Sequence, residues 1–139
     1  MKFAKINNEL TVSDQITIED LKEIHAQGYK TIFCNRPDHE SEGQLDFSAI
    51  EKEAQKLGIK SIHQPVVGGQ ISDNDIAQFG NYFENSQKPI FAYCRTGTRC
   101  STLWALSHAK NLLIDEILSK AQIAGYDLSS LRDRLNSLK

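Results

Sequence analysis

The chain has 139 residues, 40% of them hydrophobic and 24% charged, with a formal net charge of −2. That length suits one domain able to bury about two thirds of its unfolded surface, and the charge gives no basis for nucleic acid or an anionic membrane as a partner. No apolar run approaches a membrane span, no basic stretch leads into a signal-like apolar segment, and three cysteines make no disulfide framework, so the expected compartment is a reducing cytoplasm.

Lys2–Ile6 and Leu10–Val12 read as short strands around an Asn7-Asn8-Glu9 turn. Thr17, with Asp20 at the box position, caps a helix through Leu21, Ile24 and His25 that Gly28 ends. Lys30–Cys34 is a β-branched and aromatic strand, and the loop leaving it, Asn35–Glu40, carries one cation and two anions. A second helix runs from about Phe47 to Leu57 and stops at Gly58. Ile59–His63 is the next strand, followed by the turn-rich Pro65-Val66-Val67-Gly68-Gly69. Ser72 and Asp75 cap a helix with Ile76, Phe79 and Phe83 on its apolar face.

Pro89 then opens an apolar strand that ends in Cys94-Arg95-Thr96-Gly97-Thr98-Arg99-Cys100, and a helix through Leu103, Trp104 and Leu106 follows. Two more helices, about Ile114–Ala124 and Asp127–Leu138, meet at Gly125-Tyr126 and cover one face of the sheet. Strands alternating with helices predict an α/β domain with a mainly parallel sheet flanked by helices. Ligands of such sheets bind outside the carboxyl ends of the strands, where the loops after Cys34, His63 and Tyr93 converge. No repeat or linker divides residues 1–139, which are read as one domain.

The Cys94 loop is the expected site. A glycine and two arginines between a strand and a helix aim backbone N–H groups and a helix N-terminus at the cysteine sulfur. Such surroundings lower a thiol pKa from about 8.5 to roughly 3.5–7.5, giving a thiolate nucleophile within an anion cradle. Cys94 and Arg99 are the expected catalytic residues, with Arg95, Thr96, Gly97, Thr98 and Cys100 binding substrate. Gly97 serves a close backbone approach or a positive φ. A structural cysteine beside two solvated arginines is the plainer alternative.

Thr17–Leu21, Asn35-Arg36-Pro37-Asp38, Pro65–Gly69, Cys94–Arg99 and Ala124-Gly125-Tyr126-Asp127 occur in one order over nearly the whole chain. This set resembles the bacterial family of the beta-lactamase hydrolase-like protein, phosphatase-like domain, described both as a phosphatase and as a sulfur transferase. The resemblance implies a single cysteine-phosphatase-like domain with the dual-specificity phosphatase fold, its cysteine loop at the C-terminal edge of the sheet.

Three departures bear on the reaction. Cysteine phosphatases place five residues between cysteine and arginine, whereas four separate Cys94 from Arg99; a shorter ring suits a smaller anion, as in rhodanese-like sulfurtransferases. Val67 stands where the general-acid carboxylate is expected, and Asp73 and Asp75 look like helix-capping residues. Cys100 replaces the Ser or Thr that assists release of phosphate from sulfur, with Ser101 one position late. Loss of a general acid costs about 10²–10⁴ in rate for an alkoxide leaving group, while sulfite leaves without a proton. The expected function is therefore sulfur transfer from thiosulfate or a persulfide through a Cys94 persulfide. The alternative is hydrolysis of a phosphoester through a phosphocysteine, and a second alternative is a non-catalytic anion-binding or redox-sensing module. Neither reaction needs a metal or organic cofactor. The expected partner is a small anion, and nothing in the pattern favours a particular oligomeric state.

Arg36 at the mouth of its loop either binds the substrate anion or pairs with Asp38 or Glu40. His63 reads as a satisfied strand-end histidine, Trp104 as core, and His25, His39 and His108 form no zinc pattern. Cys34 ends a strand beside that of Cys94 and is a candidate resolving cysteine for a Cys94–Cys34 disulfide; the alternative is a small core residue.

Overall fold

A computed structural model describes residues 1–139. Five strands form one sheet: β1 (Ala4–Lys5), β2 (Leu10–Ser13), β3 (Thr31–Cys34), β4 (Lys60–His63) and β5 (Ile90–Tyr93). Their order is β1-β2-β5-β3-β4, with β1 antiparallel to β2 and every other pair parallel. The helices are α1 (Asp20–Ala26), α2 (Phe47–Lys56), α3 (Asp73–Asn85), α4 (Thr98–Ser107), α5 (Ile114–Ala124) and α6 (Arg132–Ser137). The mixed, mainly parallel α/β architecture matches the sequence reading.

Local sequence explains most of these elements. Ser72 and Asp75 form the reciprocal capping box of α3, Ser72 N–H donating to Asp75 Oδ2 at 2.9 Å and Asp75 N–H to Ser72 Oγ at 3.1 Å. Thr17 and Asp20 make the same exchange ahead of α1. The end of the chain departs from expectation: in place of one helix over Asp127–Leu138 there is a 3₁₀ turn, Ser129–Leu131, followed by α6. Asp127 Oδ1 accepts the Ser129 N–H at 3.0 Å, an Asx turn that competes with helix at this point.

The sheet divides two apolar layers. On one face α3–α6 pack over Leu10, Val12, Phe33, Ile90 and Ala92, with Trp104 buried at the centre. On the other, α1 and α2 cover Ile32, Cys34, Phe91 and Tyr93. Alternation along β3 and β5 decides which side chains go where. Phe33 meets Phe79 of α3 edge to face, with centroids 5.6 Å apart, a geometry worth about 0.5–1.5 kcal/mol beyond the buried area. The parallel strands all point their carboxyl ends to one edge, so the loops after Ser13, Cys34, His63 and Tyr93 share it.

Candidate active site

Pairing continues past the strand ends and sets the loops. Asn35 N–H donates to the Tyr93 carbonyl (2.9 Å), Gln64 N–H to the Cys34 carbonyl (2.9 Å) and Val66 N–H to the Asn35 carbonyl (3.1 Å), which draws the Pro65–Gly69 loop against the Cys94 loop. From Cys94 the chain turns through Gly97, at φ +93°, into α4. Three of its carbonyls are held by partners outside the thiol pocket. Gln15 N–H donates to Arg95 O (3.4 Å), Tyr126 Oη to Thr96 O (3.0 Å) and Ser101 Oγ to Gly97 O (2.8 Å). Gly97 N–H donates to the Cys94 sulfur at 3.1 Å, and the N–H groups of Arg99 and Cys100 also favour its anion.

The sulfur responds as an anion would. The Cys100 thiol donates to it, the three N–H groups add to this, and together they outweigh burial and bring the Cys94 pKa from 9.0 to about 5. Burial drives Cys100 the other way, well above 9.0, and so keeps it a protonated donor. Cys100 is fully buried, out of reach of a ligand, which corrects its assignment to substrate binding. Ser101 Oγ, one position later, donates to the Gly97 and Thr98 carbonyls and ties down the ring.

Replacing Cys100 with alanine is expected to raise the Cys94 pKa by about 1–2 units, the worth of one hydrogen bond to a charged group. Cys100→Ser, which keeps a donor, is expected to restore most of the shift. The pH dependence of iodoacetamide alkylation at Cys94 measures both.

Arg99 completes the ring. Its Nη2 and Nη1 hold the two carboxylate oxygens of Glu40, at 2.8 and 2.6 Å, and Nη1 also donates to the Val66 carbonyl at 2.9 Å. Nε makes no hydrogen bond within the protein. Glu40 also accepts from Arg36 Nε at 2.9 Å. Held between two guanidiniums, with Arg99 the stronger influence, it is lowered to a pKa of about 2. It stays ionised and fixes Arg99; it carries no proton to give.

Arg36 is not at the mouth of the site. Its side chain is 6% exposed and its remaining donors go to Gln15 Oε1 (3.0 Å) and Ser41 Oγ (3.1 Å). Of the two expectations for it, the ion pair with Glu40 is the observed one, and substrate binding is corrected. Asp38 is engaged elsewhere, accepting the Phe47 N–H at the start of α2. Arg95 is exposed and makes no side-chain hydrogen bond; Thr96 and Thr98 are exposed on the rim, with their hydroxyls 3.0 Å apart.

Cys34 stands apart from this constellation. In register it pairs with Tyr93 and shares that residue's face of the sheet, whereas Cys94 and Cys100 belong to the opposite layer. Burial raises its pKa to about 11, and its thiol donates to the Arg36 carbonyl at 3.4 Å. The resolving-cysteine assignment is therefore corrected: Cys34 is the small core residue. His63 is the satisfied strand-end histidine, its Nε2 2.8 Å from the Arg36 carbonyl and its ring stacked on Phe47 at 4.6 Å.

Val67, at the expected acid position, is 55% exposed, and no carboxylate takes its place. Asp75 is used in the α3 capping box and Asp73 pairs with Arg134 at 3.3 Å. No group of three histidine, cysteine or carboxylate side chains is placed to hold a metal. The larger cavity of the molecule, about 820 Å³ along α3 and α4, contains no residue of the Cys94–Arg99 ring. A second one, about 420 Å³, opens directly beside it.

The family model for the beta-lactamase hydrolase-like protein, phosphatase-like domain, matches residues 2–111. The chain belongs to this family. A beta-lactamase hydrolase-like protein of Agrobacterium fabrum is 35% identical over 130 residues, and the match takes in 92% of this chain but only 30% of that protein. The beta-lactamase hydrolase-like family member described here thus spans about a third of its curated relative.

Among solved structures, a proposed phosphatase from Neisseria meningitidis is 40% identical and superposes with a TM-score of 0.89, covering 100% of this chain and 99% of that one. The core catalytic domain of the PP-IP phosphatase Siw14 from S. cerevisiae shares the fold at 17% identity, with a TM-score of 0.73 over 99% of this chain and 84% of its own. The family is described as phosphatase-like, and both of these solved structures are described as phosphatases, one of them as a proposed one. Tyr126 and Arg134 lie beyond the matched residues of the family model, and sequence reading had no signal for Arg134 at all.

Proposed function

We propose that this domain is a cysteine-dependent phosphatase acting on phosphate groups whose leaving group departs as a stable anion. The observation that carries the reading is the Cys94 thiolate, lowered to about 5 by the N–H groups and thiol around it, beside an Arg99 that Glu40 holds with Nε free. A phosphoryl group seated in the ring accepts from the inward N–H groups and Arg99. Cys94 attacks phosphorus, the leaving group departs, and water then cleaves the phosphocysteine. In that second step the Cys100 thiol donates to the departing sulfur, as it does to the free thiolate.

The missing acid sets the substrate class. Glu40 is ionised at every working pH, and Val67 has no proton to offer. An alkyl phosphate would forgo the roughly 10²–10⁴ that a general acid supplies, whereas an aryl phosphate or a phosphoanhydride gives up much less. The kinship with phosphatases moves the balance away from sulfur transfer, the leading expectation from sequence. Sulfur transfer remains the second reading because the four-residue spacing between Cys94 and Arg99 and the absent acid both favour it.

The test is turnover of p-nitrophenyl phosphate against an alkyl phosphate such as glycerol phosphate. Strong discrimination for the aryl ester is expected, and thiosulfate turnover with no aryl phosphatase activity would overturn the reading. Val67→Asp is expected to raise alkyl phosphate turnover by up to about 10² and to leave aryl phosphate turnover nearly unchanged. Comparison of the two substrates on the variant checks it.

A further inference from the structure

We propose that the cavity beside the ring is a second anion subsite with Arg134 as its cation, so that the preferred ligands carry two anionic groups. This rests on the phosphatase reading for the first group alone. The cavity, about 420 Å³, is lined by Thr96, Thr98, Arg99, Thr102 and Arg134, with Gly68 opposite. That volume falls in the roughly 300–1,000 Å³ range of small-molecule sites and exceeds what one phosphate on Arg99 would fill. Its wall carries two guanidiniums, three threonine hydroxyls and no carboxylate.

Arg134 is held in place there. Its Nη2 donates to the Ile71 carbonyl at 2.8 Å, which ties α6 to the loop before α3, and touches Asp73 Oδ1 at 3.3 Å. The Arg134 side chain is 35% exposed and that of Asp73 87% exposed, so solvent screens the pair and leaves the guanidinium largely uncompensated. Nε and Nη1 make no hydrogen bond within the protein. Each can donate a single charge-assisted hydrogen bond to a phosphate or carboxylate, while Nη2, which both bidentate edges of the guanidinium share, is already engaged by Ile71 and Asp73. Arg99 differs, because Glu40 already neutralises much of its charge. A ligand with one anionic group in the ring and a second a few bonds away would meet Arg99 Nε and an unpaired Arg134 N–H together.

The test is protection of Cys94 from iodoacetamide, which needs no turnover. Methylphosphonate and propane-1,3-bisphosphonate are the probes. The bisphosphonate is expected to protect at about tenfold lower concentration, and Arg134→Ala is expected to bring the two together. Arg134→Gln keeps a donor for the Ile71 carbonyl and removes the charge, so it is expected to act like the alanine variant if Arg134 binds an anion. Equal protection by the two probes, no protection by either, or a bisphosphonate preference that survives Arg134→Gln would overturn the proposal. Hydrolysis of p-nitrophenyl phosphate on the same preparation reports separately on the reaction, so failure of the subsite and failure of the phosphatase reading are told apart.

Discussion

Cys94→Ser is expected to abolish turnover, lowering kcat by at least about a thousandfold, while the fold persists. The serine hydroxyl is nearly the same size as the thiol and can still accept the Gly97 N–H that now lies 3.1 Å from sulfur. What it cannot supply is an anion: a pKa of about 5 makes Cys94 a thiolate at neutral pH, whereas a serine hydroxyl there has no base beside it. The sign of the pH dependence follows from the same value. The native thiolate forms as pH rises through about 5, so alkylation of Cys94 should rise there and stay level beyond; in the unfolded chain it should rise near the ordinary thiol value of 9.0. Steady-state assay, far-UV circular dichroism and alkylation against pH check these outcomes.

Gly97→Ala is expected to be nearly as damaging, although it touches no reacting atom. The residue sits at φ +93°, where an L side chain is strained. A Cβ there would also collide with the Tyr126 hydroxyl and lie 2.8 Å from its Cζ. Tyr126 cannot easily give way, because its hydroxyl donates to Thr96 O and its ring lies under Lys2 Nζ, 4.4 Å from the centroid. The ring of N–H groups must therefore open, which raises the Cys94 pKa and costs about 10²–10³ in kcat, the usual price of losing preorganised donors. A fall in kcat together with an upward shift of the alkylation midpoint checks it. Relief by Tyr126→Ala would be only partial, since the φ strain remains.

The parts of the fold set by near neighbours were legible in the sequence. Ser72 with Asp75, Thr17 with Asp20, and the glycine stops after α1 and α2 are all signals within four residues, and each stands where it was read. The Cys94 ring was legible for the same reason. What escaped is set by distant pairing. Glu40 lies 59 positions from the Arg99 it fixes, Tyr126 lies 30 from Thr96, and Arg134 lies 63 from Ile71.

Cys34 was open to two readings, a resolving cysteine and a small core residue, and the register separates them. The two strands were correctly placed side by side, but the register puts Cys34 opposite Tyr93. Alternation then sends its side chain to the α1–α2 face, away from the nucleophile. At Arg36 two readings stood open, substrate binding and an ion pair with Asp38 or Glu40, and burial with three acceptors selects the ion pair with Glu40.

The most direct measurement is the covalent adduct on Cys94. Protein mixed with p-nitrophenyl phosphate and quenched in acid within the first turnover should yield a Cys94 peptide carrying one phosphoryl group, absent in Cys94→Ser, and protein mixed with thiosulfate should yield the unmodified peptide. A Cys94 peptide bearing one extra sulfur after thiosulfate, with no phosphoryl adduct from the aryl phosphate, would contradict the account.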